Sequence, residues 1–179
     1  MRSTRRKLGI IILNVLLSFA LARSGVELLP RPTKFSLFAG DAEGPVELNA
    51  FDAALLKAGI ANVNLLKISS ILPAGAEYCE RLEIPEGSLV PTAFGTIVSG
   101  EPGDHIAAAV AVGRSKDGYG VIMEFAGRAT KEEAASQVKQ MVEHALKLRG
   151  VPLDEVMVKS VDHVVERVGC AFAAVALWY

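Results

Sequence analysis

Asn62-Val63-Asn64-Leu65-Leu66-Lys67-Ile68-Ser69-Ser70-Ile71-Leu72-Pro73 is an apolar run of β character that ends in two hydroxyls, a second short apolar step and a proline. Val63, Leu65 and Ile68 favour extended backbone, and Pro73, which has no amide hydrogen to give a ladder, marks where regular pairing stops. Ser69 and Ser70 therefore stand where a rigid strand hands over to a bend, a place that fixes side chains while leaving the backbone free to distort. A serine hydroxyl is a poor nucleophile unless its surroundings activate it or strain the carbonyl it attacks. The residues alone allow two readings, a pair that finishes a strand or a reactive centre.

On the N-terminal side of this run, Phe35 to Phe38 make a short strand before the turn-rich Gly40-Asp41-Ala42-Glu43-Gly44-Pro45. A helix follows, with Asn49 placed to cap it, Phe51, Leu55 and Ala58 at helical spacing and Gly59 to stop it. Residues 62 to 70 are then the central strand, and Ala74 to Gly87 is irregular and charged. Thr92 to Val98, Ile106 to Val112 and Gly120 to Phe125 are three further strands, with turns at Gly100-Glu101-Pro102-Gly103 and Ser115-Lys116-Asp117-Gly118. They are rich in Ala, Val and Ile with little alternation, which predicts cover on both faces. Thr130-Lys131-Glu132-Glu133 is a capping box. It starts a helix whose apolar face is Ala134, Val138, Met141, Val142, Ala145 and Leu148, ended by Gly150 before Pro152. Val156 to Val165 and Cys170 to Leu177 close the chain as strands. Two helices with mainly antiparallel strands predict an α+β sandwich.

A chain of 179 residues, 51% hydrophobic and 22% charged, is one domain's worth and large enough to bury a substantial core. Charge is unevenly placed: residues 1 to 25 hold Arg2, Arg5, Arg6, Lys7 and Arg23 and no acid, so the net of −1 leaves −6 for the rest. An acidic folded part argues against a nucleic-acid groove and mildly favours a cationic ligand. Cys79 and Cys170 do not make a metal pattern. Leu8 to Ala22 is an apolar run behind a basic start, with Ala20-Leu21-Ala22 as a small-x-small cleavage pattern, and it is shorter than the ~20 residues of a membrane span. Residues 1–30 are therefore a signal-like leader, a short anchor, or the product of a start codon placed too far upstream. The domain is expected over 31–179.

The Asn62–Pro73 run, together with Leu48-Asn49-Ala50-Phe51-Asp52-Ala53-Ala54-Leu55-Leu56, Gly120-Val121-Ile122-Met123-Glu124 and Gly169-Cys170-Ala171-Phe172-Ala173-Ala174-Val175-Ala176-Leu177-Trp178, resembles the pyruvoyl-dependent arginine decarboxylases. The resemblance spreads from about Pro32 to Tyr179. It implies a four-layer αββα sandwich, a homotrimer or larger assembly with sites at subunit boundaries, and an intracellular enzyme, which puts the cytoplasm ahead of export or membrane anchoring. Ala61 stands where the family often has glycine before the Asn-Val-Asn run.

The resemblance also implies the chemistry. Losing carbon dioxide from an amino acid needs an electron sink that no ordinary side chain provides. The Ser70 hydroxyl would attack the Ser69 carbonyl, and β-elimination from the resulting ester would leave a β chain ending at Ser69. Its partner is an α chain that begins with a pyruvoyl group made from Ser70. That ketone would form a Schiff base with L-arginine, giving agmatine and carbon dioxide with no metal. Glu124, flanked by Val121, Ile122, Met123 and Phe125, would be the acid that protonates the α-carbon, its apolar setting raising its pKa; the competing reading is an outward-facing strand glutamate. Asn64, an even number of residues before Ser70 and so on the same side of a regular strand, would polarise the Ser69 carbonyl or hold the substrate carboxylate, or else be a polar group satisfied within the sheet. Asp52 would pair with the guanidinium, or simply help close a helix capped by Asn49. Leu48, Val63 and Ile122 would line the slot for the methylenes, and Ser69 would touch substrate after cleavage. Two alternatives remain: a decarboxylase for another amino acid such as histidine or ornithine, and an unprocessed trimeric protein that binds a cationic metabolite. His105, His144 and His163 are too dispersed to form a site.

Overall fold

Strand β9 (Gly169–Trp178) organises the core, because every residue from Gly169 to Leu177 is buried and its two faces serve two different layers. Ala171, Ala173, Val175 and Leu177 point into a core between two sheets, while Cys170, Phe172, Ala174 and Ala176 face a helix. A strand apolar on both sides shows no alternation in its sequence, as expected of one covered twice. The computed structural model describes residues 30–179, of which Pro32–Tyr179 form a compact unit; the leader-like run lies outside the described residues. None of the described helices is long and apolar enough to cross a membrane.

The elements in chain order are β1 (Lys34–Glu43), α1 (Glu47–Ala58), β2 (Asn64–Lys67), β3 (Ile71–Leu72), β4 (Glu77–Tyr78), β5 (Leu89–Ser99), β6 (His105–Arg114), β7 (Gly120–Arg128), α2 (Lys131–Leu148), β8 (Glu155–Val164) and β9. One sheet runs β2-β5-β9-β1-β4 and the other β3-β7-β6-β8. Pairing is antiparallel except for β1 with β4 and β2 with β5. Helix α1 covers the outer face of the first sheet through Ala50, Ala54 and Leu55. Helix α2 covers the outer face of the second, where Ala107, Ala109 and Ala111 of β6 meet Ala134, Val138 and Val142. The layers are thus helix, sheet, sheet, helix, and the α+β sandwich expected from the sequence is present. Alanines on the helix-facing sides let both helices approach closely.

Four local expectations change. The short strand at Phe35–Phe38 is the ten-residue β1, which pairs with β9 from Lys34↔Trp178 to Glu43↔Gly169, so the ladder overrides the turn character of Gly40 to Glu43. Gly40 is there because α1 leaves no room: a methyl at this position would strike the Ala54 carbonyl oxygen and the Ala58 amide. Gly40→Val is expected to lower stability by roughly 3 kcal/mol, the upper range for overpacking against rigid neighbours, measurable by denaturant unfolding. Next, α1 starts earlier than Asn49: Val46, with extended φ −144° and ψ 167°, is its N-cap and offers no side-chain cap. Asp52 therefore lies well inside the helix, where closing the first turn is not available to it. Gly59 does end α1, at φ 84°. Third, the central strand expected over 62–70 is the four-residue edge strand β2. Last, α2 starts with the anticipated capping box, Thr130 and Glu133 each accepting from the other's amide, but it buries Leu146 and leaves Leu148 72% exposed.

Candidate active site

The chain changes sheets at the two serines. The Ile68 amide still donates to the Thr92 carbonyl of the first sheet at 3.1 Å, whereas the Ser70 carbonyl already accepts from the Ile122 amide of the second at 2.7 Å. Ile71 then pairs with Val121 and Leu72 with Gly120. Between these ladders lies the Ser69–Ser70 peptide, and among the described residues neither the Ser69 carbonyl nor the Ser70 amide makes a hydrogen bond. Ser69 is exposed and Ser70 half-buried. A peptide anchored on both sides but unpaired itself is free to distort, because no ladder bond must break for its carbonyl to turn toward an attacking hydroxyl.

Ile122, which holds the Ser70 carbonyl, is buried in the inter-sheet core, and Glu124 follows on the same face, opposite Val110. Two residues of strand separate them, about 7 Å. Past Ile122 the β3 edge of β7 has no strand partner, so Glu124 lies beside the point where the serines leave the sheet. Burial pushes the Glu124 carboxyl above its ordinary value, against the opposing pull of the Lys67 charge and of a bond from its own backbone. Lys67 is the residue that sequence reasoning passed over. It ends β2, its Nζ donates to the Phe94 carbonyl at 2.8 Å and rests 4.6 Å from the centre of the Phe94 ring. Its signal was visible, since it is the one charged residue in Asn62–Pro73.

The structure ties Ser70, next to Ser69, to Ile122 and puts Glu124 two residues further along the same strand, and it leaves the other sequence-derived residues elsewhere. Asn64 opens β2 and is exposed, its Nδ2 donating to the Gly87 carbonyl at 2.9 Å; the even spacing to Ser70 loses its meaning because regular strand ends at Lys67. Val63, half-buried, borders a cleft of about 990 Å³ between the end of α1 and the Glu80–Glu86 loop. Leu48 and Asp52 are exposed one turn apart on α1, on the outer side of the first sheet.

The family model for pyruvoyl-dependent arginine decarboxylase matches residues 34–179. The chain belongs to this family. A curated relative from Methanocaldococcus jannaschii, described as a pyruvoyl-dependent arginine decarboxylase, is 50% identical over 150 residues, covering 83% of this chain and 91% of that relative. Relatives of the same description from Pyrococcus abyssi and Thermococcus kodakarensis are 47% and 45% identical, each covered to 96% of its own length. The pyruvoyl-dependent decarboxylases carry a keto-acyl group bound covalently to the chain, and the residues here fit one. Ser69-Ser70 supplies a hydroxyl next to an unpaired peptide, the carbonyl of residue 70 is already tied down by Ile122, and the half-buried Glu124 follows two residues along the same strand.

Proposed function

We propose that this chain is a self-processing lyase that converts L-arginine to agmatine and carbon dioxide with a pyruvoyl group made from Ser70. The observation that carries the reading is the unpaired Ser69–Ser70 peptide held between two ladders beside Glu124, in a chain of this family. The Ser70 Oγ attacks the Ser69 carbonyl carbon, the peptide C–N bond breaks and an ester forms with a free amine on residue 70. Elimination then moves the α-hydrogen of residue 70 to a base and expels the Ser69 carboxylate, which becomes the end of the β chain. One water hydrolyses the dehydroalanine left behind, ammonia departs and the α chain begins with a ketone. When in place, that group supplies the electron sink for the carbon–carbon bond that breaks.

The side chains do the rest. Glu124, whose carboxyl burial shifts above its ordinary value, gives a proton to the α-carbon once carbon dioxide has left. Asp52 accepts from the guanidinium, Asn64 holds the substrate carboxylate or polarises the Ser69 carbonyl, and Leu48, Val63, Ile122 and Ser69 line the slot. Leu48 and Asp52 lie across the first sheet from Ser70, so in this reading the site is completed between subunits of a homotrimer, α1 of one facing the β2–β3 crossing of the next. The exposed Leu48 and Leu56, at 74% and 60%, support a surface that meets a partner. The working unit is the domain after residue 30, in the cytoplasm.

Denaturing mass spectrometry of the purified protein tests the core of this reading: two chains divided between residues 69 and 70 are expected, together with agmatine released from arginine. One uncleaved chain that binds arginine without turnover would instead make it a binding protein. Asp52→Asn is expected to leave cleavage complete and to raise the KM for arginine about 100-fold, since losing one partner of a desolvated charge pair costs about 3 kcal/mol. Steady-state kinetics with arginine, ornithine and histidine check both that value and the substrate.

A further inference from the structure

Away from the serines, β8, β1 and α1 bring together a second set of titratable groups. His163 of β8 lies between two carboxylates of β1, its Nδ1 3.0 Å from Asp41 Oδ2 and its Nε2 2.7 Å from Glu43 Oε1. The other Asp41 oxygen accepts from Lys57 Nζ of α1 at 2.8 Å. Glu43 also accepts from the amides of Glu166, Arg167 and Val168, at 2.9, 3.1 and 2.8 Å, and the next amide in the chain, Gly44, donates to the Val168 carbonyl at 2.9 Å. The packing is tight enough that a methyl on Gly169 would strike both the His163 ring and the Glu43 carboxylate.

The geometry bears on the charge of the ring. A neutral imidazole has one N–H and one lone pair, so it donates to one carboxylate and sets its lone pair against the other. With both carboxylates ionised, contacts on both nitrogens favour the imidazolium. Asp41 and Glu43 are then balanced by His163 and Lys57. The remaining charged or titratable neighbours do not compete: Lys159 of β8 donates to the Leu37 carbonyl at 3.1 Å, Glu166 and Arg167 present their amides, and Cys170 of β9 is a buried thiol. Burial works against the charged ring, but the bonds to Glu43 and Asp41 outweigh it and raise its pKa. Burial likewise works against the Glu43 carboxylate, and the His163 and backbone bonds still bring it down to about 2.

We propose that the Asp41–His163–Glu43 bridge is a positioning device for α1. It holds the chain that enters the helix, through the bonds of Glu43 and Gly44 to residues 166–168, and the helix's last turn, through Lys57, and so keeps Leu48 and Asp52 in place for the substrate. The inference rests on the reading of Asp52 as the guanidinium partner. The sign follows from the raised pKa of the ring: the bridge is complete below the ordinary imidazole value of about 6.5 and is lost as pH rises through the raised value. Loss of the proton leaves one carboxylate facing a lone pair, and α1 loosens.

Wild-type enzyme serves for the first test, by nitrogen NMR of the His163 ring and hydrogen exchange of residues 47–58 as pH rises, corrected for intrinsic exchange. Expected are a ring protonated on both nitrogens well above the ordinary value, and α1 exchange that quickens about tenfold as the ring deprotonates, the loss of one charged hydrogen bond. The KM for arginine rises in the same window. His163→Gln should show both changes already at neutral pH, KM up about tenfold with little change in kcat, and no further rise of KM with pH. A ring that titrates at or below the ordinary value, or α1 exchange that ignores the ring, overturns the proposal, and the wild-type titration decides this even if the variant does not fold. Where α1 exchange follows the ring but KM stays flat, Asp52→Asn separates the causes: a raised KM in that variant overturns the positioning role, and an unchanged one overturns the reading of Asp52.

Discussion

Ser70→Ala is expected to yield one uncleaved chain and no measurable decarboxylation, whereas Ser69→Ala is expected still to cleave. In the proposed cleavage the attacking oxygen belongs to Ser70 and Ser69 contributes its carbonyl, so the two hydroxyls of this pair have unequal value for processing. The substitution is clean. Ser70 is half-buried and its anchoring bond to Ile122 is made by its backbone carbonyl, so alanine keeps the crossing between the sheets and should change stability by less than about 1 kcal/mol. Without the hydroxyl no ester forms, no ketone is made, and the whole rate enhancement goes with it, which for an enzyme is on the order of a millionfold or more. Intact-mass measurement distinguishes the two variants directly, and a circular dichroism melt at the wild-type temperature shows that the alanine chain is folded. Two chains from Ser70→Ala, or residual turnover in it, would remove Ser70 from the chemistry.

The sandwich was legible because its strands are unmistakable even without alternation: β6 and β9 are Ala- and Val-rich runs too apolar for any place but between two layers. What escaped was decided by partners far along the chain. Gly40 to Glu43 carries turn residues, yet β9, more than a hundred residues later, pairs them into strand. On α2 the buried stripe runs through Ala134, Val138 and Val142, and Leu146 and Leu148 flank it almost symmetrically at 100° per residue. Helical spacing does not choose between them; the space left by Gly113 under Val142 and Leu146 does. In the candidate site, the strand end and Pro73 located the serines at a bend without choosing between a strand finish and a reactive centre, and the apolar neighbours of Glu124 implied the raised carboxyl found there. The positions of Asp52 and Asn64 were not legible, because Asn64 was placed in a longer β2 and the competing reading of Asp52 assumed a later start to α1. His163 had no local signal at all, since its partner Glu43 is 120 residues away.

Replacing Glu124 by glutamine separates making the enzyme from running it. Cleavage between Ser69 and Ser70 is expected to proceed to completion, because the hydroxyl and the unpaired peptide are untouched and the glutamine occupies the same volume opposite Val110. Decarboxylation should slow by about 10²–10⁴-fold, the usual worth of a positioned general acid. The pH dependence gives the sharper signature. An acid works only while protonated, so with Glu124 in the proposed role kcat of the wild type is expected to fall as pH rises through the Glu124 pKa, which burial raises above its ordinary value. In the glutamine variant that alkaline fall disappears. Lys67→Met supplies the opposite shift: its charge pulls the carboxyl pKa down, so removing it moves the fall in kcat to higher pH, while Lys67→Arg keeps the charge and restores the wild-type profile. Single-turnover rates measured across the pH range for all four proteins test this. An alkaline limb that persists unchanged in Glu124→Gln would assign the proton to another group.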